Sequence, residues 1–280
     1  MGFYTLDIFP NILHNKNMNH DTRLEIVKER DFRIFKANEI IQKARYDLDI
    51  LELKIMAYVF SKIKPDDKEN TAYEFSVKDY CQVCGIDYKS GGNYDYIKTT
   101  VKGLRDKSFW IVDEKGSDIL IGWLSNVKMS RGDGKMLVKL DENLQHFLLG
   151  LISNYTQYAF LSTIPMKSAY SFRMYELIKS YSYSGKSDRH TFDVETLKAQ
   201  LMCHYANFKD FRVKVLEVAT REINLYTDIE VSWKPITKGR KVIQVEFYIK
   251  QRDTWGSFFA SGRATKAIEG QMDLESYYRN

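Results

Sequence analysis

No apolar run in this sequence is long enough to cross a bilayer. The longest near the middle, Phe147 to Ile152, falls far short of the roughly 20 residues a spanning helix needs. Near the start, Phe3 to Leu13 is interrupted by Asp7, Pro10 and Asn11, so it does not read as a signal peptide. MGFYTL lacks the Ser or Thr that a myristoylation signal places sixth. Cysteine is scarce and odd in number, three in 280 residues, which favours a reducing, cytoplasmic setting with no membrane partner. Cys81-x-x-Cys84 invites a metal reading, but the third cysteine, Cys203, lies in the other half of the chain. No histidine stands at zinc-finger spacing, so these read as core thiols. The five histidines, His14, His20, His146, His190 and His204, are scattered, and no two are separated by a single residue. That excludes the metal-binding pair of a rolling-circle nickase. Gly185-Lys186-Ser187 has the end of a phosphate-binding loop, but Ser180 stands where its first Gly belongs. The expectation is a protein that is not an enzyme, with no cofactor and no metal.

Charge of one sign is also in short supply: 42 Lys and Arg against 37 Asp and Glu leave a net charge of only +5. Its location says more than its size. Residues 165–250 hold 15 Lys and Arg against 10 Asp and Glu, so the whole excess lies in that stretch.

Within it, Asn207 to Lys250 reads as one helix followed by a hairpin. Phe208, Phe211, Val215, Val218 and Ala219 recur at helical steps, while Lys209, Asp210, Lys214, Glu217, Arg221 and Asn224 take the wet face. Thr227 and Asp228 end the helix. Ile229, Val231 and Trp233 then alternate with polar residues, as do Val242, Val245 and Phe247, with one slip in phase near Ile243. The turn between the strands is built around Gly239 and carries Lys238, Arg240 and Lys241. A basic helix backed by a cationic loop suits duplex DNA, the helix entering the major groove and the loop meeting phosphates. A solvated α/β surface fits this segment alone as well.

The first half repeats the pattern. Phe75-Ser-Val-Lys-Asp-Tyr80 matches Phe192-Asp-Val-Glu-Thr-Leu197, each a strand end, an N-cap (Ser76 with Asp79, then Asp193) and a short helix. Asn93-Tyr94 with Ile97, Val101 and Leu104 matches Asn207-Phe208 with Phe211, Val215 and Val218. Hairpin strands follow in both halves, Phe109 to Val112 with Ile119 to Val127, and Ile229 to Trp233 with Val242 to Ile249. Upstream, a helix is expected from Asn38 through Ile63, broken or recapped at Asp47. The expected fold is α+β, two tandem winged-helix domains related by internal duplication. Its parts are an arm over 1–31, a first domain over 32–153, a second over 154–250 and a tail over 251–280. The division falls between Asn154 and Ser162, after a helix from Glu142 to Ile152.

The chain resembles the plasmid replication initiators of the Rep-3 family, iteron-binding proteins with two winged helices. The resemblance runs from about Asn38 to Ile249. It is carried by Asn38-Glu-Ile-Ile, Leu51-Glu-Leu-Lys-Ile, Ser168-Ala-Tyr-Ser-Phe-Arg-Met-Tyr-Glu-Leu-Ile-Lys and Phe208-Lys-Asp-Phe-Arg-Val-Lys-Val-Leu. Further blocks are Glu222-Ile-Asn, Thr227-Asp-Ile and Lys238-Gly-Arg-Lys. Where the family often has Leu-Gly-Ile, this chain has Cys84-Gly-Ile and Leu201-Met-Cys. The resemblance implies a protein that binds direct repeats in double-stranded DNA at an origin, promotes melting nearby and recruits the host initiator and replicative helicase. It also implies a homodimer formed through the first domain, in equilibrium with the initiating monomer.

The resemblance places Arg212 and Lys214 at base- and phosphate-contacting positions, and Lys209 and Arg221 join them on the same helix. On a helical wheel Arg212 turns towards the apolar side, which leaves it the alternative of a buried pair with Glu222 or Glu176. Lys238, Arg240 and Lys241 are expected on phosphates. Lys98, Lys102, Arg105 and Lys107, on a helix from Asn93 to Ser108 with Tyr94 and Tyr96 interleaved, are candidates for a neighbouring groove, with Arg131 and Lys135 behind them. Arg173, Tyr175 and Glu176 read as structural. The competing reading is a winged-helix transcriptional repressor without origin activity; a nicking or ATP-driven enzyme and an interaction module without DNA stand further off.

Overall fold

The computed structural model describes residues 33–252, except 65, 85, 87–91, 113–114, 131 and 183–187. The arm, nearly all of the tail, Arg131 and the Gly185-Lys186-Ser187 stretch lie outside the described residues.

The chain begins with β1 (Arg33–Ala37) and α1 (Asn38–Lys43), then opens into an extended stretch before α2 (Ile50–Phe60). The break expected at Asp47 is present as this extended stretch, but the recapping residue is Asp49, two positions later. Asp49 is followed three residues later by Glu52, and the pair close a capping box. The Glu52 N–H donates to the Asp49 carboxylate, and the Asp49 N–H donates to the Glu52 carboxylate, both at 2.8 Å. Every residue from Leu51 to Phe60 is buried, so α2 is the pillar of the first domain rather than a surface helix.

Next come β2 (Ala72–Ser76), α3 (Val77–Cys84) and α4 (Gly92–Asp106). Tyr73 and Phe75 point inward from β2, and Ser76 starts α3 by accepting the Asp79 N–H at 2.9 Å. Cys81 and Cys84 lie buried on α3. Gly103 lets α4 close on α2, since a Cβ there would stand 3.1 Å from the Glu52 carboxylate. The strands that follow are β3 (Ser108–Val112), β4 (Asp118–Gly122), β5 (Leu124–Met129) and β6 (Lys135–Leu140). They form two hairpins rather than the one expected. β3 and β4 pair only with each other among the described residues, whereas β5 and β6 join β2 in the order β2-β6-β5.

A short α5 (Glu142–Gln145) replaces the helix expected to Ile152, and Gly150 turns the chain with a φ of 62°. β7 (Tyr155–Ala159) then returns to pair antiparallel with β1. A 3-10 turn (Phe160–Ser162) leads to α6 (Ala169–Tyr181). Two helices of the first unit, α1 and α2, pack on α6, and so does the long helix of the second unit. It therefore bridges both sides of the division expected near residue 154.

The second unit repeats the first: β8 (Arg189–Asp193), α7 (Val194–Gln200), α8 (Phe208–Phe211), a π-helical turn (Arg212–Leu216), α9 (Glu217–Tyr226), β9 (Ile229–Lys238) and β10 (Lys241–Gln251). Its sheet runs β8-β10-β9, the same order as β2-β6-β5. In each unit the leading strand pairs with the last strand of the hairpin, and two helices lie between. That arrangement is a winged helix, present twice, with β3–β4 as an insertion in the first copy. Asp193 holds the N-cap position of α7, but its carboxylate accepts the Gln244 amide at 3.0 Å instead of capping. The phase slip near Ile243 is a β-bulge, where the register with β9 shifts between Val242 and Gln244.

Candidate nucleic-acid interface

The helix spanning 208–226 starts where the Asn207 side chain accepts the Asp210 N–H at 2.8 Å. It buries Phe211, Val215, Leu216, Ala219 and Ile223 against the second domain. Lys209, Arg212, Val213, Lys214, Glu217 and Arg221 stay exposed. On a regular helix Val213 and Lys214 would already face outward, while Arg212 would fall on the apolar side with Ala219 and Ile223. The π turn Arg212–Leu216 fits an extra residue into the winding. It also rotates Arg212 away from the core, so the buried pair with Glu222 or Glu176 does not form. Arg212 Nε lies 3.4 Å from Glu217 Oε1 instead, both side chains half exposed. Lys214 Nζ stands 4.9 Å above the Tyr205 ring. Lys209 and Arg221 have no carboxylate within ion-pair reach among the described residues.

The wing carries the second group of cations. Lys238 and Lys241 are directly opposite across the β9–β10 turn, with Arg240 between them and Gly239 supplying a φ of 63°. Like charges in register repel, and no carboxylate offsets them among the described residues. Further down the hairpin Lys234 is neutralised by Glu246 at 2.9 Å. The tip therefore gathers three cations without a carboxylate partner among the described residues.

On the first domain, Lys98, Lys102 and Arg105 line a groove of about 590 Å³ between α4 and β5, with Asp95, Val127 and Met129. Lys102 pairs with Asp106 one turn on. Lys107 does not join this face: α4 ends at Asp106, and the Lys107 ammonium reaches Glu52 at 2.6 Å. Lys135, at the β5–β6 tip, pairs with Glu74 at 3.0 Å. Tyr94 and Tyr96 pack half-buried against the core.

A family model described as Initiator Replication protein, WH1 matches residues 33–179, and one described as Initiator Rep protein, WH2 matches residues 193–249. The chain belongs to the Rep-3 family of replication initiators. A crystal structure of Pi initiator protein in complex with iteron DNA shares the fold of this initiator, with a TM-score of 0.66 over 80% of this chain and 99% of that one. Sequence identity to Pi is 19%.

The family-like blocks of the initiator divide by role. Glu222 is buried in α9 and accepts the N–H groups of Lys167 and Ser168 at 3.1 and 3.3 Å, tying α9 to the start of α6. Asn224 clamps Val231 at both ends, donating to its carbonyl at 2.9 Å and accepting its N–H at 2.7 Å. Tyr175 donates to Asp228 at 2.8 Å, and Lys179 pairs with the same carboxylate. Arg173 stacks on Tyr46, 3.7 Å from its centroid, and donates to the Gln200 carbonyl at 3.2 Å. Glu176 accepts from Lys36 at 2.8 Å and from the Tyr158 hydroxyl. Glu222, Asn224, Tyr175 and Lys179 hold the WH2 helix and its end in place, whereas Arg173 and Glu176 tie α6 to Tyr46, Lys36 and Tyr158 of the first unit; the exposed cations are none of these. Two features escaped the sequence reading. The wing of WH1 is β5–β6, hidden because β3–β4 alternates equally well. Val213 shares the exposed turn with Arg212 and Lys214, and an apolar residue on the wet face carries no signal of its own in the helical period.

Proposed function

We propose that this initiator binds the direct repeats of a plasmid origin as a sequence-specific double-stranded DNA-binding protein. In this account it promotes opening of the adjacent duplex and recruits the host initiator and replicative helicase. The observation that carries the reading is the set of exposed cations presented by two features of WH2. These are the exposed face of the helix 208–226 and the wing tip Lys238, Arg240 and Lys241. The helix enters the major groove, where Arg212 is able to take a guanine edge bidentately and Lys209, Lys214 and Arg221 meet phosphates. The wing tip meets the phosphate backbone. Lys98, Lys102 and Arg105 give WH1 a second basic face for a neighbouring groove. Family membership and the fold shared with Pi, crystallised on iteron DNA, support the choice of origin repeats as the target.

The initiator exchanges between monomer and homodimer in this account. The β3–β4 hairpin supports a dimer through WH1. Trp110 and Leu120 are cross-strand neighbours, 58% and 48% exposed, and Val112 beside them is 49% exposed. An apolar face of this kind on a two-stranded sheet favours a partner. The test of the reading is a binding titration on duplex carrying the direct repeats beside the gene, against scrambled duplex. A clear preference for the repeats supports it, and equal binding to both removes it.

A further inference from the structure

Between Lys209 and Arg221 the helix exposes six side chains, of which five are charged. The sixth is Val213, 42% exposed at the middle of the stripe, with Arg212 and Lys214 on either side. An apolar, β-branched residue gains nothing from solvent there and lowers helix propensity slightly. It lies in the π turn, a rare winding that is itself less favourable than a regular helix and recurs at functional sites. A charged surface patch requires neither feature. Both suit a surface that meets an apolar group flanked by anions.

Resting on the reading of this helix as the one that enters the major groove, we infer that Val213 reads the C5-methyl group of a thymine. Thymine alone among the four bases carries a methyl group in the major groove, and cytosine, adenine and guanine would leave the valine without that contact. The flanking cations hold the phosphates or base edges on either side. They fix the helix so that one side chain without hydrogen-bonding capacity bears on one base. The stiff χ1 of valine limits the entropy lost on contact.

The experiment is a titration of wild type and Val213→Ala with repeat duplexes in which each thymine in turn is replaced by deoxyuridine, which removes only the methyl. Circular dichroism and thermal melting of the free variant show that the exposed substitution leaves the fold intact. For wild type, one thymine per repeat is expected to be sensitive, its replacement weakening binding about fourfold, the effect of one buried methyl-sized group. Val213→Ala is expected to bind the unmodified repeat weaker by a similar factor and to ignore that replacement. The inference is overturned if wild type tolerates deoxyuridine at every position. It is also overturned if Val213→Ala weakens the thymine and deoxyuridine duplexes equally, which would place the valine against some other surface. In either of these cases wild type still prefers the repeat to scrambled duplex; loss of that preference in wild type is the separate failure of the reading on which the inference rests.

Discussion

Lys54 sits on α2 among the buried residues of the first domain, and burial pushes its pKa down from 10.5 to about 7. Cys84 and Glu222 nearby pull it up, and Lys167 pushes it further down. The unfolded chain keeps this proton up to the ordinary lysine range, so between pH 7 and 10 it binds more protons than the fold does. The contribution of Lys54 to stability therefore rises with pH across that window and is least favourable below pH 7. Lys54→Met is expected to be more stable than wild type at pH 6, with the gap narrowing towards pH 10, as read by denaturant melts. At the wing and helix, Lys214→Ala and Arg240→Ala are each expected to weaken repeat and scrambled duplex alike and to lower the salt slope by about one. These cations were legible from the sequence because the charge excess and the helical period coincide there. The orientation of Arg212 was not, since a wheel assumes 3.6 residues per turn and the π turn breaks that count. Nor was the role of Lys107, whose partner Glu52 lies 55 positions earlier.

At the scale of elements, the helix starts are set by short local signals. The capping box of Asp49 and Glu52 fixes where α2 begins. Asp49→Ala is expected to lower the stability of the first domain by about 1 kcal/mol, measured by urea unfolding. The second-domain hairpin was legible down to its bulge, because the phase slip at Ile243 is written in the alternation of β10. Which hairpin forms the wing of WH1 was not. β3, β4, β5 and β6 share the same alternating pattern, and the choice depends on the pairing of β6 with β2, about 60 residues away in sequence. The helix expected to Ile152 stops at Gln145 for a similar reason: its apolar residues feed the core through turns, and Gly150 adopts a conformation outside the helical region.

Across the whole molecule, α6 carries the polar contacts that lock the two winged helices together. Lys36, Tyr158 and Glu176 meet on one side of it, and Arg173 spans from Tyr46 to the Gln200 carbonyl. Such a joint holds the basic faces of WH1 and WH2 in a set relation, as the proposed binding of neighbouring grooves requires. The duplication was visible because each copy repeats the same cap, helix and stripe; the joint was not, because it depends on buried partners more than 100 residues apart. If the β3–β4 face mediates the dimer, Trp110→Glu is expected to shift the initiator to monomer in sedimentation equilibrium while its circular dichroism remains that of the folded chain, its melt falling only by the stability that dimerisation adds. A dimer unaffected by that change would place the interface elsewhere. The most direct test of the central claim is a fluorescence anisotropy titration of the full chain on repeat and scrambled duplexes over a series of salt concentrations. The account predicts tight, selective binding to the repeats, with log K falling linearly with log salt at about 0.9 per neutralised phosphate. Weak binding of equal strength to both duplexes would contradict it.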